Sequence, residues 1–123
     1  MSKSIKGILK KNKPFSVNGS LWIECNKEGL FGPGPAELLE RINDTGSISQ
    51  AAKEMQMSYK KAWEIINALN AQATHLLVVT QAGGASGGGS IITAEAKEMI
   101  DWYRLLRERF KAFLEKETEK LNL

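Results

Sequence analysis

The fold is decided by the stretch GSISQAAKEMQMSYKKAW, residues 46–63, in which one helix start closely follows another. Ser47, with Gln50 three residues later, has the spacing of a capping box. Ser58 offers a second N-cap after the break at Gln56-Met57. Small residues between the two starts permit close helix crossing, and two helices joined by so short a turn form a helix-turn-helix.

A further helix is expected before this motif, after the rigid segment Gly32-Pro33-Gly34-Pro35. Pro35 suits the first helical position, and Glu37 then lies in the first turn, where the helix dipole favours an acid. The helix ends near Thr45-Gly46. Its apolar face comprises Leu38, Leu39 and Ile42.

Short apolar segments farther upstream predict a small β element. Asn18-Gly19 interrupts the apolar residues between Phe15 and Ile23, and such a pair is a strong hairpin or tight-turn signal. A second segment, Leu30-Phe31, follows the turn-like residues 26–29.

Downstream, the second helix of the motif runs from Tyr59 to about Ala73, with Ala62, Ile66 and Leu69 buried at helical spacing. A strand at residues 76–79, a glycine-rich loop at 83–89 and a strand at 90–93 read as a β-hairpin, the wing. Thr93 caps a last helix from about Ala94 towards Lys120. The fold class is therefore mainly α with a small β wing (α+β): a winged helix-turn-helix with a long C-terminal helix.

Composition agrees with one domain, since 123 residues can bury a single core. We divide the chain into a basic N-terminal arm, residues 1–13, and a winged-helix domain, residues 14–123. No apolar run approaches a membrane span, the start of the chain lacks a secretory signal pattern, and Cys25 is the only cysteine. These features lead us to expect a cytoplasmic protein.

The net charge of +3 comes from the arm, which contains five lysines and no acid. The remaining residues carry twelve basic against fourteen acidic side chains, so the domain itself is slightly acidic. The arm could follow DNA phosphates or could be a solvated tail.

The start of the second motif helix carries the residue types that DNA recognition needs. Lys60 and Lys61 can contact phosphate or guanine, whereas Trp63 could either stack beside the DNA or lie in the core. Backbone amides at the start of the first motif helix can bind a phosphate, although Ser47 could be a cap alone. The full candidate DNA-binding set is Ser47, Ser49, Gln50, Ser58, Tyr59, Lys60, Lys61, Trp63, Thr80, Gly84, Gly87 and Gly88.

We find no candidate catalytic or metal-binding residues and predict neither an enzyme nor a cofactor. His75 is the only histidine, and no cysteine or carboxylate stands at metal-ligand spacing from it. The glycine loop lies between two strands and lacks the Gly-Lys-Ser/Thr ending of a phosphate-binding loop.

The last helix has an apolar stripe that could pack on its own domain or pair with a second copy. Its far end extends beyond what a small winged core can cover, which favours a homodimer reading two DNA half-sites. The candidate dimerisation residues are Tyr103, Leu106, Phe110, Phe113 and Leu114.

The sequence resembles the N-terminal domain of ModE-type molybdate-responsive regulators over roughly residues 15–110. The resemblance lies in residues 46–53, the Ser-Tyr-Lys-x-Ala-Trp string at 58–63, residues 67–70, the glycines of the wing and Ile92-Thr93. It implies a homodimeric bacterial transcription factor whose double-stranded DNA contacts fall on residues 58–63 and on the wing. Family members commonly carry arginine where this chain has Thr80-Gln81.

Full-length family members sense molybdate through C-terminal oxyanion-binding domains, whereas this chain ends with the long helix. We therefore expect no direct molybdate response; any regulatory input from a protein partner or effector-sensing subunit is unknown. The alternative function is a protein-interaction winged helix that no longer binds DNA. Its support is the nearly neutral domain and the absence of arginine at the wing.

Overall fold

The computed structural model describes residue 5, residues 7–81 and residues 89–122. Its elements in chain order are β1 (Ile23–Cys25), β2 (Glu28–Phe31), α1 (Pro33–Thr45), α2 (Ile48–Glu54), α3 (Tyr59–Gln72), β3 (Val78–Gln81), β4 (Gly89–Ile92) and α4 (Ala94–Asn122). This order confirms the winged helix-turn-helix with a long C-terminal helix. Among the described residues, no helix is long and apolar enough to cross a membrane.

The described residues form two compact units. The winged-helix unit comprises Trp22–Tyr103, and the terminal unit comprises the described residues before Trp22 and those from Arg104 onwards. The helix-turn-helix and the wing therefore lie in the same unit. In its core, α2 packs against both α1 and α3, and α1 also packs against β4. The largest fully buried side chains are Phe31, Leu38, Leu39, Ile42, Ile66 and Leu69.

The N-terminal hairpin is formed by β1 and β2, which follow Asn18-Gly19, the strongest turn signal in this part of the sequence. β1 pairs with β2 in antiparallel register, and the two residues between them, Asn26 and Lys27, have φ values of 52° and 69°. Positive φ at both central residues is the conformation of a type I′ turn. The predicted small β element is confirmed, but Asn18-Gly19 is not its turn, because residues 15–21 pair with no strand and contact α4 within the terminal unit instead.

Helix α1 begins at Pro33, two residues before the predicted Pro35, with Gly32 as N-cap. A residue before proline normally avoids the helical region because its Cβ meets the proline ring, but Gly34 has no Cβ. Glu37 consequently lies beyond the first turn. Its carboxylate pairs with Arg41 one turn later, at 2.8 Å from Nε.

The Asn70 side chain joins α3 to the wing. Its Oδ1 accepts from the backbone N–H of Leu77 at 2.8 Å and of Val78 at 3.4 Å, and its Nδ2 donates to the carbonyl oxygen of Val78 at 3.3 Å. These bonds hold Leu77, which precedes β3, and Val78, its first residue. β3 starts at Val78, two residues later than predicted.

The wing strands pair from Val78↔Ile92 to Gln81↔Gly89. Residues 82–88 at the wing tip, including Gly84, Gly87 and Gly88, lie outside the described residues. Thr93 leaves the strand and caps α4, where its Oγ1 accepts from the N–H of Ala96 at 3.2 Å. The predicted cap is confirmed, and β4 ends at Ile92.

Gly46 connects α1 to the wing. It ends α1 with φ of 70°, and its N–H donates to the carbonyl oxygen of Ile42 at 2.8 Å. Its own carbonyl oxygen accepts from the N–H of Ser90 in β4 at 2.9 Å. A Cβ added to Gly89 would lie 3.0 Å from that oxygen. The approach of β4 to the end of α1 therefore depends on glycine at both positions.

In the terminal unit, residues 15–21 lie along α4. The N–H of Val17 donates to Oγ1 of Thr118 at 2.8 Å, and Nδ2 of Asn122 donates to the carbonyl oxygen of Phe15 at 2.9 Å. An apolar segment that the sequence assigned to a hairpin is thus stabilised by a helix.

Replacing Gly46 with alanine is expected to lower the free energy of unfolding by about 1–2 kcal/mol, since an L-residue is disfavoured at φ of 70°. No atom lies within 4 Å of an added Cβ, so the backbone conformation alone causes the loss. Gly46→Asn is the matched control, because asparagine adopts this conformation more readily and should lose less. Urea unfolding of the three proteins measures this; equal stability for all three would contradict it.

Candidate nucleic-acid interface

Helix α3 has one face in the core and the opposite face in solvent. Ala62, Ile66 and Leu69 are at most 1% exposed. Tyr59 is 55% exposed, and Lys60 and Lys61 are exposed beside it. The apolar face fixes the rotation of the helix, so its N-terminal turn presents two ammonium groups and a phenol outward. These groups can contact phosphates and base edges.

The two motif helices have the predicted serine caps, but the N–H of Ser47 donates to Oγ1 of Thr45 at 3.2 Å, where the capping box predicted the Gln50 side chain. Oγ of Ser47 accepts from the N–H of Gln50, and Oγ of Ser58 accepts from the N–H of Lys61, each at 3.0 Å. A hydroxyl that accepts as a cap still has its own proton to donate. Capping and phosphate binding are therefore compatible for both serines.

Trp63 is half-buried. It is neither fully in the core nor fully in solvent, the two alternatives that the sequence left open. Its ring meets that of Tyr59 edge-on, with centroids 6.2 Å apart and planes at 79°. The two residues are one turn apart on α3, so this pair orients the exposed phenol. Trp63 thus positions Tyr59 and retains an accessible part of its own ring.

The start of α2 also carries predicted residues. Ser47 is half-buried as a cap, whereas Ser49 and Gln50 are exposed. Arg41 joins α1 to the end of α2, with Nε 2.8 Å from Glu37 and Nη1 3.0 Å from Glu54. The hydrogen bonds with Glu37 and then Glu54 raise the pKa of Arg41. This bridge holds α2 against α1 without using the exposed start of α2.

On the wing, Thr80 and the adjoining Gln81 are exposed at the last described positions of β3. The predicted glycine contacts at 84, 87 and 88 lie outside the part of the chain that the structure describes. Every other residue of the predicted DNA-binding set belongs to the winged-helix unit.

Two exposed residues farther along α3 are absent from the set of DNA-binding residues predicted from the sequence. Glu64 and Asn67 follow Lys60 at spacings of four and seven, and both are exposed. Residues so spaced share one helix face. Carboxylate and amide groups are among those that read base edges, the former on cytosine and the latter on adenine. The helical spacing from Lys60 was the signal that could have found them.

The described residues contain no cluster of three potential metal ligands. His75 is exposed, with Nδ1 3.2 Å from the Thr74 hydroxyl.

The structure divides the predicted dimerisation stripe. Tyr103 is 2% exposed and meets Phe31 edge-on at 5.3 Å, so this residue is corrected to the core of its own unit. Phe113 is 55% exposed and stacks with the half-buried Phe110 at 6.4 Å. Leu106 and Leu114 are also half-buried. The residues of the stripe looked alike in sequence, because helical periodicity does not show which of them the core covers.

The chain is similar to several proteins of known name, and the similarity covers most of its own length. It is 43% identical over 94 residues to the DNA-binding transcriptional dual regulator ModE of Escherichia coli (strain K12), covering 76% of this chain and 36% of that protein. It is 41% identical over 85 residues to the molybdenum transport protein ModE of Azotobacter vinelandii, covering 69% and 32%. The molybdenum-pterin-binding protein MopB of Rhodobacter capsulatus is 36% identical over 93 residues, covering 76% and 34%.

The chain spans about a third of the length of these relatives, and the match lies in their N-terminal region. No protein-family model matches the chain.

Replacing Ser58 with alanine is expected to lower the free energy of unfolding by about 1 kcal/mol, because the N–H of Lys61 loses its cap. Ser49→Ala is the control, since Ser49 is exposed and lies inside a helix, where alanine is favoured. Thermal unfolding followed by circular dichroism measures both. An equal or larger loss for Ser49→Ala would show that the cap is not responsible.

Proposed function

This chain is a homologue of the N-terminal region of ModE-type molybdate-responsive regulators, and on this basis we propose that it binds specific DNA sequences as a homodimeric transcriptional regulator. The observation that carries the proposal is the start of α3. There a buried apolar face directs Tyr59, Lys60 and Lys61 into solvent. The relatives named as DNA-binding or transcriptional regulators support it.

Phosphate contacts supply most of the affinity in this proposal. Lys60 and Lys61 lie in the first turn of α3, at a helix N-terminus, where the positive end of the helix dipole favours an anion. The hydroxyl protons of Ser47 and Ser58 add donors at the starts of the two helices. Each lysine that neutralises a phosphate releases a counterion, so binding should weaken as salt rises.

Sequence discrimination is assigned to the exposed face of α3. Lys60 can donate to guanine, Glu64 can accept from cytosine, and Asn67 can pair with adenine. The rigid packing of α3 and the Tyr59–Trp63 pair fix the direction of this face. On the wing, Thr80 and Gln81 can add hydrogen bonds but no charge.

The dimer is proposed to form through α4, with Phe113 as the most accessible residue of the predicted stripe. Leu106, Phe110 and Leu114 widen the same surface, whereas Tyr103 belongs to the core. Two copies would read two half-sites and gain affinity and specificity over one.

The absence of a direct molybdate response stays a prediction.

A protein-interaction role without DNA binding has two supporting observations. Outside the N-terminal arm, acidic side chains outnumber basic ones by fourteen to twelve, and the first wing strand ends in uncharged residues. Apolar association depends weakly on salt, in contrast to phosphate contacts. A salt titration therefore separates the two functions.

The double variant Lys60→Ala/Lys61→Ala should bind DNA far more weakly than wild type. If each lysine contacts one phosphate, the slope of log affinity against log salt should fall by about two. Fluorescence anisotropy with genomic DNA fragments, at several salt concentrations, measures affinity and slope together. Lys97→Ala, an exposed lysine on α4, is the control and should leave both unchanged.

Wild-type protein that binds no fragment even at low salt would refute the DNA-binding proposal and favour a protein partner. An unchanged slope in the double variant would show that Lys60 and Lys61 do not make the phosphate contacts.

Replacing Phe113 with alanine should weaken the dimer by about tenfold or more, because truncating a large apolar anchor at an interface commonly has such an effect. Sedimentation equilibrium at tens of micromolar measures the dissociation constant. Lys111→Ala, a neighbouring exposed position, should change it little. Wild-type protein that stays monomeric at this concentration would contradict dimerisation.

A further inference from the structure

The terminal unit contains a contact that the proposed DNA-binding function does not use. Residues 15–21, which we call the strap, lie against the C-terminal part of α4. Oγ1 of Thr118 accepts from the N–H of Val17 at 2.8 Å and lies 3.4 Å from the carbonyl oxygen of Val17, to which it can donate. Asn122 donates to the carbonyl oxygen of Phe15 at 2.9 Å. The helix therefore holds the main chain of the strap through two side chains one turn apart.

The side chains of the strap alternate in burial. Phe15 and Val17 are half-buried, whereas Ser16 and Asn18 between and after them are exposed. At Gly19 the backbone approaches Phe110, and an added Cβ would lie 3.3 Å from Cζ of that ring. The strap thus runs antiparallel to α4, from Asn122 past Thr118 to Phe110, and covers part of the Phe110 ring.

Phe110 belongs both to the surface that the strap covers and to the proposed dimer interface. The rings of Phe110 and Phe113 stack at an interplanar angle of 14°, yet Phe110 is half-buried while Phe113 is 55% exposed. We propose that the strap is an autoinhibitory contact, which competes with a second copy of this chain for Phe110 and weakens dimerisation through α4. This inference rests on the dimer in the proposed function.

The strap is suited to release. Thr118 and Asn122 hold Val17 and Phe15 through hydrogen bonds, and such bonds contribute modestly in net terms. Segments with few buried contacts near a chain terminus open locally at low free-energy cost. A second copy that buries both phenylalanine rings can therefore displace the strap without unfolding either unit.

Thr118→Val tests the contact from the helix side. Valine keeps the β-branched shape but removes the hydroxyl that holds Val17. Hydrogen exchange at the Val17 amide should accelerate roughly five- to tenfold, as expected for one lost hydrogen bond. The dimer dissociation constant from sedimentation equilibrium should tighten by a similar factor. Thr118→Ser keeps the hydroxyl and should restore both values.

Gly19→Val tests the same contact from the strap side and leaves α4 unchanged. The Cβ of valine would lie 3.3 Å from Cζ of Phe110, closer than ordinary van der Waals contact, and its two methyl groups need further space there. We expect the strap to shift away from the ring and the dimer to tighten as in Thr118→Val. Ser20→Val is the control, since Ser20 is exposed. Agreement between a helix variant and a strap variant would exclude an effect of Thr118→Val on the helix alone.

Faster exchange at Val17 with an unchanged or weaker dimer would overturn the inference, as would unchanged exchange in both variants. A failure to dimerise in wild type and variants alike would overturn it too. DNA binding measured on the same samples then separates the two proposals. Retained DNA binding would leave the regulator function standing, whereas its absence would refute that function as well.

Discussion

The geometry of the winged-helix unit depends on the hydrogen bond from the N–H of Ser90 to the carbonyl oxygen of Gly46. Gly46 ends α1 in the left-handed region and directs that oxygen towards β4 instead of along the helix. Ser47, the next residue, caps α2. The end of one helix, the start of the next and the second wing strand therefore meet within two residues. The close passage of Gly89 over the same oxygen leaves no room for a side chain.

A second connection, through Asn70, fixes the other wing strand to α3. Because β4 binds the end of α1 and β3 binds α3, the wing and α3 are parts of one packed unit. The core therefore orients the exposed start of α3. The candidate interface thus consists of polar groups on a rigid support. Residues such as Trp63 and Arg41 contribute by orienting neighbours: Trp63 contacts Tyr59, and Arg41 joins α1 to α2.

Much of this was predictable from sequence because caps and helical periodicity are local. Ser47, Ser58 and Thr93 cap as predicted, since each bond closes within three residues, and Ala62, Ile66 and Leu69 are buried as their spacing indicates. The errors arose where distant residues decide. Asn18-Gly19 has a strong turn signal, yet the adjoining Val17 binds Thr118, a hundred positions away. β3 starts at Val78 instead of Leu76, and the backbone of Leu76 and Leu77 binds the side chains of Thr93 and Asn70.

The sequence by itself determined the order of the elements, the two helix caps of the motif and the set of polar residues at the start of α3. Short-range hydrogen bonds and side-chain periodicity specify these features. Only the tertiary structure decided which apolar residues of α4 remain accessible. Tyr103 is enclosed by Phe31 and Phe110 is approached by Gly19, while Phe113 stays exposed. These residues have similar side chains at helical spacing, so their burial depends on which distant segment covers each of them.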